Sequence, residues 1–201
     1  MRLTPELGTW IFDLDEDSDG RHTFVGTDVL DAELPTTYPS NMMFHAQDIK
    51  NPWPREYTQL FDLVHQRLTL PFAGNKCKEA LSSLTDMVKP GGWIQLLEGT
   101  LLTSDPVERN PCMHNYLRIV HAIYTSLGAP LTLSKDIPIW LEELGFVNVQ
   151  TKEVKVFMGA SNSNTDLGRK GAETQRLAAK GMVQAAKSKP YLLLHWSYPL
   201  D

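Results

Sequence analysis

The sequence predicts a mixed α/β fold, and three observations carry that prediction. Short apolar runs alternate with helix-period stretches, two of those runs end on an aspartate, and a Pro-Gly-Gly turn separates a helical stripe from a further run. At 201 residues the chain suits one domain, 1–201, and can bury a sizeable core. No repeat, low-complexity tract or long linker divides it.

The elements follow in order. His22 to Asp28 (HTFVGTD) and Asn41 to Asp48 (NMMFHAQD) read as strands closed by an acid, and Leu60 to His65 (LFDLVH) as a third. Lys76 to Val88 carries apolar residues at 77, 80, 81, 84, 87 and 88, a helical stripe. Pro90-Gly91-Gly92 is expected to stop that helix, and Trp93 to Leu97 (WIQLL) reads as a strand covered on both faces. Asn115 to Leu127 is an amphipathic helix. Ile137 to Leu144 is a shorter one closed by Gly145. Phe146 to Phe157 (FVNVQTKEVKVF) alternates and predicts a half-exposed antiparallel strand. Ser161 to Thr165 is a polar loop, Asp166 to Lys187 a long polar helix, and Pro190 to Tyr198 a terminal strand.

Charge and cysteine content narrow the function classes. Lys and Arg number 19 against 24 Asp and Glu, a net charge of −5, which argues against non-specific nucleic-acid or anionic-membrane binding. No run approaches the roughly 20 apolar residues of a membrane span, and the N-terminus lacks a signal-peptide layout, so a cytoplasmic protein is expected. Cys77 and Cys112 make no disulfide framework, and metal-ligand spacing is absent, so no metal is expected. The acidic run Asp13 to Asp19 (DLDEDSD) lacks the pattern of a calcium loop and reads as a solvated turn.

Four stretches in order carry a resemblance: GTWIFDLDED (Gly8 to Asp17), VGTDV (Val25 to Val29), FDLVHQRL (Phe61 to Leu68) and VKPGGWIQLLE (Val88 to Glu98). YPSNMMFHAQDIKNPWP (Tyr38 to Pro54) links the second and third. Together they resemble the class I S-adenosylmethionine-dependent methyltransferases, in particular the fungal secondary-metabolism group that includes the velvet-complex regulator. The resemblance implies a Rossmann-like sheet flanked by helices, with residues 1–100 as a cofactor half and 101–201 supplying acceptor-side helices and C-terminal antiparallel strands. It also implies S-adenosylmethionine as methyl donor and a small-molecule acceptor.

Site residues follow from that mapping. Ligands of such sheets bind at the carboxyl ends of the strands. Asp28 is placed to accept the ribose hydroxyls; its other reading is a turn-capping acid. Asp48 and Ile49 are placed to meet the adenine, against a strand-end turn before Asn51-Pro52-Trp53-Pro54. His65, at the cleft mouth, is either a general base or a structural histidine. Asp62 reads as a structural acid. His114, His121 and the aromatics Trp93, Trp140, Trp196, Tyr116 and Tyr124 read as helix-face and core residues before they read as an acceptor pocket.

The family pattern places a strand and a glycine-rich GxGxG turn first. Here Gly8-Thr9-Trp10 matches only the end of that turn, which leaves an N-terminally truncated member, a degenerate member that has lost the cofactor site, or a chain whose sheet a partner completes; weakened cofactor binding is expected. The strands beginning near His22 and Leu60 are then expected to flank the position of the missing strand, with Arg2 to Leu14 drawn into or against it. A homodimer or a partner protein is the other way to cover those edges. Two further functions stay open. One is an isomerase or cyclase in which His65, Arg67 or Glu98 polarises the substrate; the other is a regulatory binding module.

Overall fold

Four short strands and five α-helices make up residues 9–99 and 111–188, the part of the chain that this computed structural model describes. Strand β1 (Phe24–Asp28) pairs in parallel with β2 (Met42–Ala46), from Phe24 opposite Met42 to Asp28 opposite Ala46. Strand β3 (Phe61–Arg67) pairs in parallel with β4 (Val88–Leu97), with Leu63 opposite Trp93 and Arg67 opposite Leu97. Parallel pairs flanked by helices fit a Rossmann-like α/β architecture. The two pairs are separate sheets: β1 and β3 do not pair with each other, and no described strand lies between them.

Helix α1 (Thr9–Asp17) bears on both sheets. Trp10 stacks on His65 of β3, while Phe12 lies 6.1 Å from Phe44 of β2, ring to ring. Asn41 Nδ2 donates to Asp15 Oδ1 at 2.7 Å, fixing the start of β2 to the helix. Trp10, Phe12 and Leu14 alternate as a strand would, yet the segment is helical. Ile11 and Leu14, three apart, are half-buried together on one helix face. The acidic run Asp13 to Asp19 is therefore largely the end of α1 rather than a turn; the turn is Ser18 to Gly20, where Asp19 and Gly20 take positive φ. Residues Arg2 to Gly8 of the expected slot-filling segment lie outside the described residues.

The core lies under β3 and β4. Leu70 and Leu81 are fully buried, and Val64, Leu84, Val88, Ile137 and Leu141 close around them. Burying each such side chain contributes about 1.5–3 kcal/mol. Helix α2 (Cys77–Thr85) supplies Cys77, Ala80, Leu81 and Leu84 to this core, the stripe its spacing predicted. It ends at Thr85, short of the expected Val88, which opens β4 instead, so Pro90-Gly91-Gly92 does not stop it. That tripeptide falls inside β4, where the pairing jumps from Phe61–Val88 to Leu63–Trp93. The extra residues form a bulge, the usual place for proline and glycine in a strand. The expectation that Trp93 to Leu97 is covered on both faces also fails among the described residues: Trp93 is 67% exposed and Leu97 49%, while Ile94 and Leu96 turn inward.

Helix α3 (Pro111–Leu127) buries Val120 and Ile123, and α4 (Leu133–Glu143) buries Leu133, Ile137 and Leu141. Gly145 ends α4 at φ +89°. Its N–H donates to Glu142 O and that of Phe146 to Leu141 O, both at 3.0 Å, a Schellman motif as the glycine predicted. Helix α5 (Thr165–Ser188) starts on Asn164, whose Oδ1 accepts the N–H groups of Asp166 and Leu167 at 3.1 Å. Between them, residues 149–158 carry no assigned strand, so the alternation of Phe146 to Phe157 is not realised as strand pairing among the described residues. Val154, Val156 and Phe157 are all exposed. Pro190 to Tyr198 lies outside the described residues. No described helix is long and apolar enough to cross a membrane.

Candidate functional site

The carboxyl ends of β1 and β2 bring Asp28 and Asp48 to adjacent turns. The Gln47 N–H donates to the Asp28 carbonyl at 2.7 Å, joining the two strand ends. Each aspartate also organises its own turn: Asp28 Oδ1 accepts the Leu30 N–H, and Asp48 Oδ1 the Lys50 N–H, both at 2.9 Å. These are Asx turns, the bland reading of both residues, and each leaves the second carboxylate oxygen outside the turn bond. At Asp48 that oxygen lies 3.3 Å from Lys50 Nζ, a half-exposed pair worth little. Ile49 is 8% exposed and belongs to the core beside Tyr57, which limits what it offers a ligand. Tyr57 Oη lies 2.9 Å from His45 Nε2, and burial pushes its phenol up from the usual value. Gly8 lies outside the described residues.

The carboxyl ends of β3 and β4 carry two hydrogen-bonded side-chain pairs on opposite faces, because neighbouring strand residues point opposite ways. On one face His65 Nδ1 lies 2.9 Å from Gln95 Oε1, its register partner. With a carbonyl oxygen facing it, Nδ1 is the donor, and Nε2 holds the lone pair in the neutral ring. Burial holds the imidazole below its usual range; the Gln95 bond opposes this and the Arg67 charge adds to it. A neutral ring with a free lone pair is the form a general base needs. Trp10 from α1 covers one face of that ring.

On the other face Gln66 Nε2 donates to Glu98 Oε1 at 2.7 Å, and the Leu70 N–H donates to the same oxygen at 3.1 Å. Glu98 Oε2 and Gln66 Oε1 are buried with no hydrogen-bond partner, as is Trp53 Nε1. An unmade bond at a buried polar atom costs about 1–3 kcal/mol. Burial raises the Glu98 carboxyl above its usual range, against the hydrogen bonds from Gln66, Leu70 and Thr69. The same burial, with the Glu98 charge, pushes the Cys77 thiol up to about 11 and the Tyr124 phenol up to about 12. Leu68 holds φ +54° just past β3, with its N–H on Leu97 O at 2.9 Å. A branched residue in left-handed backbone at the mouth of a parallel pair is the kind of strain that clusters at sites.

His65 thus stands at a strand end, as its place after an apolar run implied, whereas its partners came only from the fold. Gln66, Gln95 and Glu98 are polar residues set into or just after apolar runs, LVHQRL and WIQLLEG, and that interruption is the signal available in the sequence. Trp10 carried no such signal. His114 lies on α3, half-buried, and Asp62 is exposed and paired with Lys89 at 2.9 Å, a surface role.

No family model matches the chain. Three curated fungal proteins are similar to it over most of its length. The N-methyltransferase sirN of Leptosphaeria maculans is 35% identical over 168 residues, 82% of this chain and 58% of the relative. The N-methyltransferase gliN of Aspergillus fumigatus is 34% identical over 172 residues, 84% of this chain and 61% of the relative. The methyltransferase psoC, also of Aspergillus fumigatus, is 32% identical over 155 residues, 76% of this chain and 55% of the relative. The chain therefore spans about three fifths of the length of the relatives it matches.

Proposed function

We propose that the chain acts in S-adenosylmethionine-dependent N-methyl transfer to a small molecule of fungal secondary metabolism. Similarity to fungal proteins named N-methyltransferases supports the reaction class. The structural observation that carries the cofactor reading is the juxtaposition of Asp28 and Asp48 at the carboxyl ends of a parallel pair. In such sheets ligands dock in the crevice beyond those ends.

The residues present fit the donor in part. Asp28, with one oxygen outside its turn bond, is suited to ribose hydroxyls, and Asp48 to an exocyclic amine. When bound, the donor supplies a methyl group on a sulfonium centre. The chain's own task is alignment and exclusion of water. Neutral His65 is able to hold or receive a proton at Nε2.

Calorimetric titration with S-adenosylhomocysteine tests this reading. Saturable binding is expected, weakened by about 1.5–3 kcal/mol in Asp28→Ala, the loss for hydrogen bonds to a charged group. Absent binding, or binding indifferent to Asp28, sinks the reading. The second outcome favours the alternative of a non-methylating enzyme or a regulatory module. The observation on that side is that both aspartates already serve their own turns.

A further inference from the structure

We propose that Gln66 and Glu98 form a binding site for an amine nitrogen, whose hydrogens fill the open acceptors Glu98 Oε2 and Gln66 Oε1. As the site of the methyl acceptor this rests on the methyl-transfer reading; as an amine site it does not.

The geometry of the pair sets the ligand class. Gln66 and Leu70 both donate to Glu98 Oε1, and the Thr69 backbone also bears on the carboxyl. The other carboxyl oxygen and the amide oxygen remain, both buried, both acceptors, each without a donor. Two buried acceptors left open at one hydrogen-bonded pair call for a group with at least two hydrogens to give. An amine or ammonium has them. An alcohol offers one hydrogen and leaves an acceptor unmet. A carboxylate or phosphate brings only acceptors and meets the Glu98 charge.

Place and surroundings agree. Gln66 is the penultimate residue of β3 and Glu98 immediately follows β4, so the pair stands at the carboxyl ends of parallel strands. It faces away from the His65–Gln95 pair, on the side of fully buried Leu70. Phe72, two residues after Leu70, stands edge to face with Tyr124 of α3, and the Tyr124 phenol feels the Glu98 charge, so aromatic rings lie in the neighbourhood of the pair. An amine carrying an aryl or alkyl body suits this better than ammonia.

The test uses the full chain, isotope-labelled, with benzylamine as probe and benzyl alcohol and benzoate in parallel. NMR follows the Gln66 side-chain amide and the Glu98 carboxyl carbon. Benzylamine is expected to move both signals saturably, and the two controls are not. The response should fall at least tenfold in Glu98→Gln and in Gln66→Leu, two variants that guard against one misfolding. Unmoved signals, or an equal response to benzyl alcohol as at a site made for water, overturn the proposal. S-adenosylhomocysteine is titrated into the same sample. If it binds and benzylamine does not, the amine site fails and the methyl-transfer reading stands. If benzylamine alone binds, the amine site stands without that reaction.

Discussion

Trp10 lies nearly flat on His65, ring centroids 3.9 Å apart and planes 20° from parallel. The contact joins α1 to β3, while Ile11 and Phe12 of the same helix reach β1 and β2. Trp10→Ala should destabilise the chain by about 1–3 kcal/mol, the stacking term plus part of the area buried by a residue that is 37% exposed. It should also raise the His65 pKa toward 6.5, because burial is the main cause of its depression. Urea denaturation gives the first quantity and imidazole NMR titration the second. An unchanged His65 titration refutes the link.

The two pairs on β3 and β4 predict opposite pH slopes. His65 is depressed in the folded chain, so the unfolded chain binds its proton first and stability falls as pH drops below about 6.5. Glu98 is raised, so the folded chain holds its proton longer and stability falls as pH rises above about 4.5. Denaturation midpoints across pH 4 to 8 should lose the first slope in His65→Gln and the second in Glu98→Gln. A variant that shifts stability equally at all pH values contradicts the assignment.

Two glycines with positive φ separate strain from collision. A Cβ at Gly145 would meet nothing within 4 Å, whereas one at Gly74 would lie 2.3 Å from the Leu127 backbone oxygen. Gly145→Ala should cost about 1–2 kcal/mol, the left-handed backbone penalty alone. Gly74→Ala should cost about 3 kcal/mol or more, since the clash is with backbone that has no rotamer to yield. Thermal denaturation of both variants checks the order; equal costs remove the packing argument between Leu70–Lys76 and α3.

Asn164→Ala removes the side-chain acceptor for two N–H groups at the start of α5. The expected loss is about 1 kcal/mol, with Asn164→Ser restoring most of it. Hydrogen exchange should quicken first at Asp166 and Leu167. If protection there is unaltered, the helix is held by its packing rather than by its cap.

The sequence by itself determined the elements whose causes are local. Leu81 and Leu84 follow a helical period, Gly145 supplies the conformation a helix end needs, and Asp28 and Asp48 punctuate strands and make their own turns two residues on. Tertiary structure decided what depends on neighbours distant in sequence. Pro90-Gly91-Gly92 reads locally as a helix stop but becomes a bulge because Phe61 and Leu63 hold β4 on either side of it. The alternation of Phe146 to Phe157 yields no strand in the described residues, since alternation states which faces differ, not that a partner is there to pair. The segment from Trp10 to Leu14 fits a strand and a helix alike, and the contacts of Trp10, Ile11 and Phe12 with two sheets go with the helix. The candidate sites divide the same way. His65 was legible as a polar residue ending an apolar run. The His65–Gln95 and Gln66–Glu98 pairs arise only when residues 30 and 32 positions apart are brought together by β3 and β4, and the Trp10 cover only when α1 packs on that sheet.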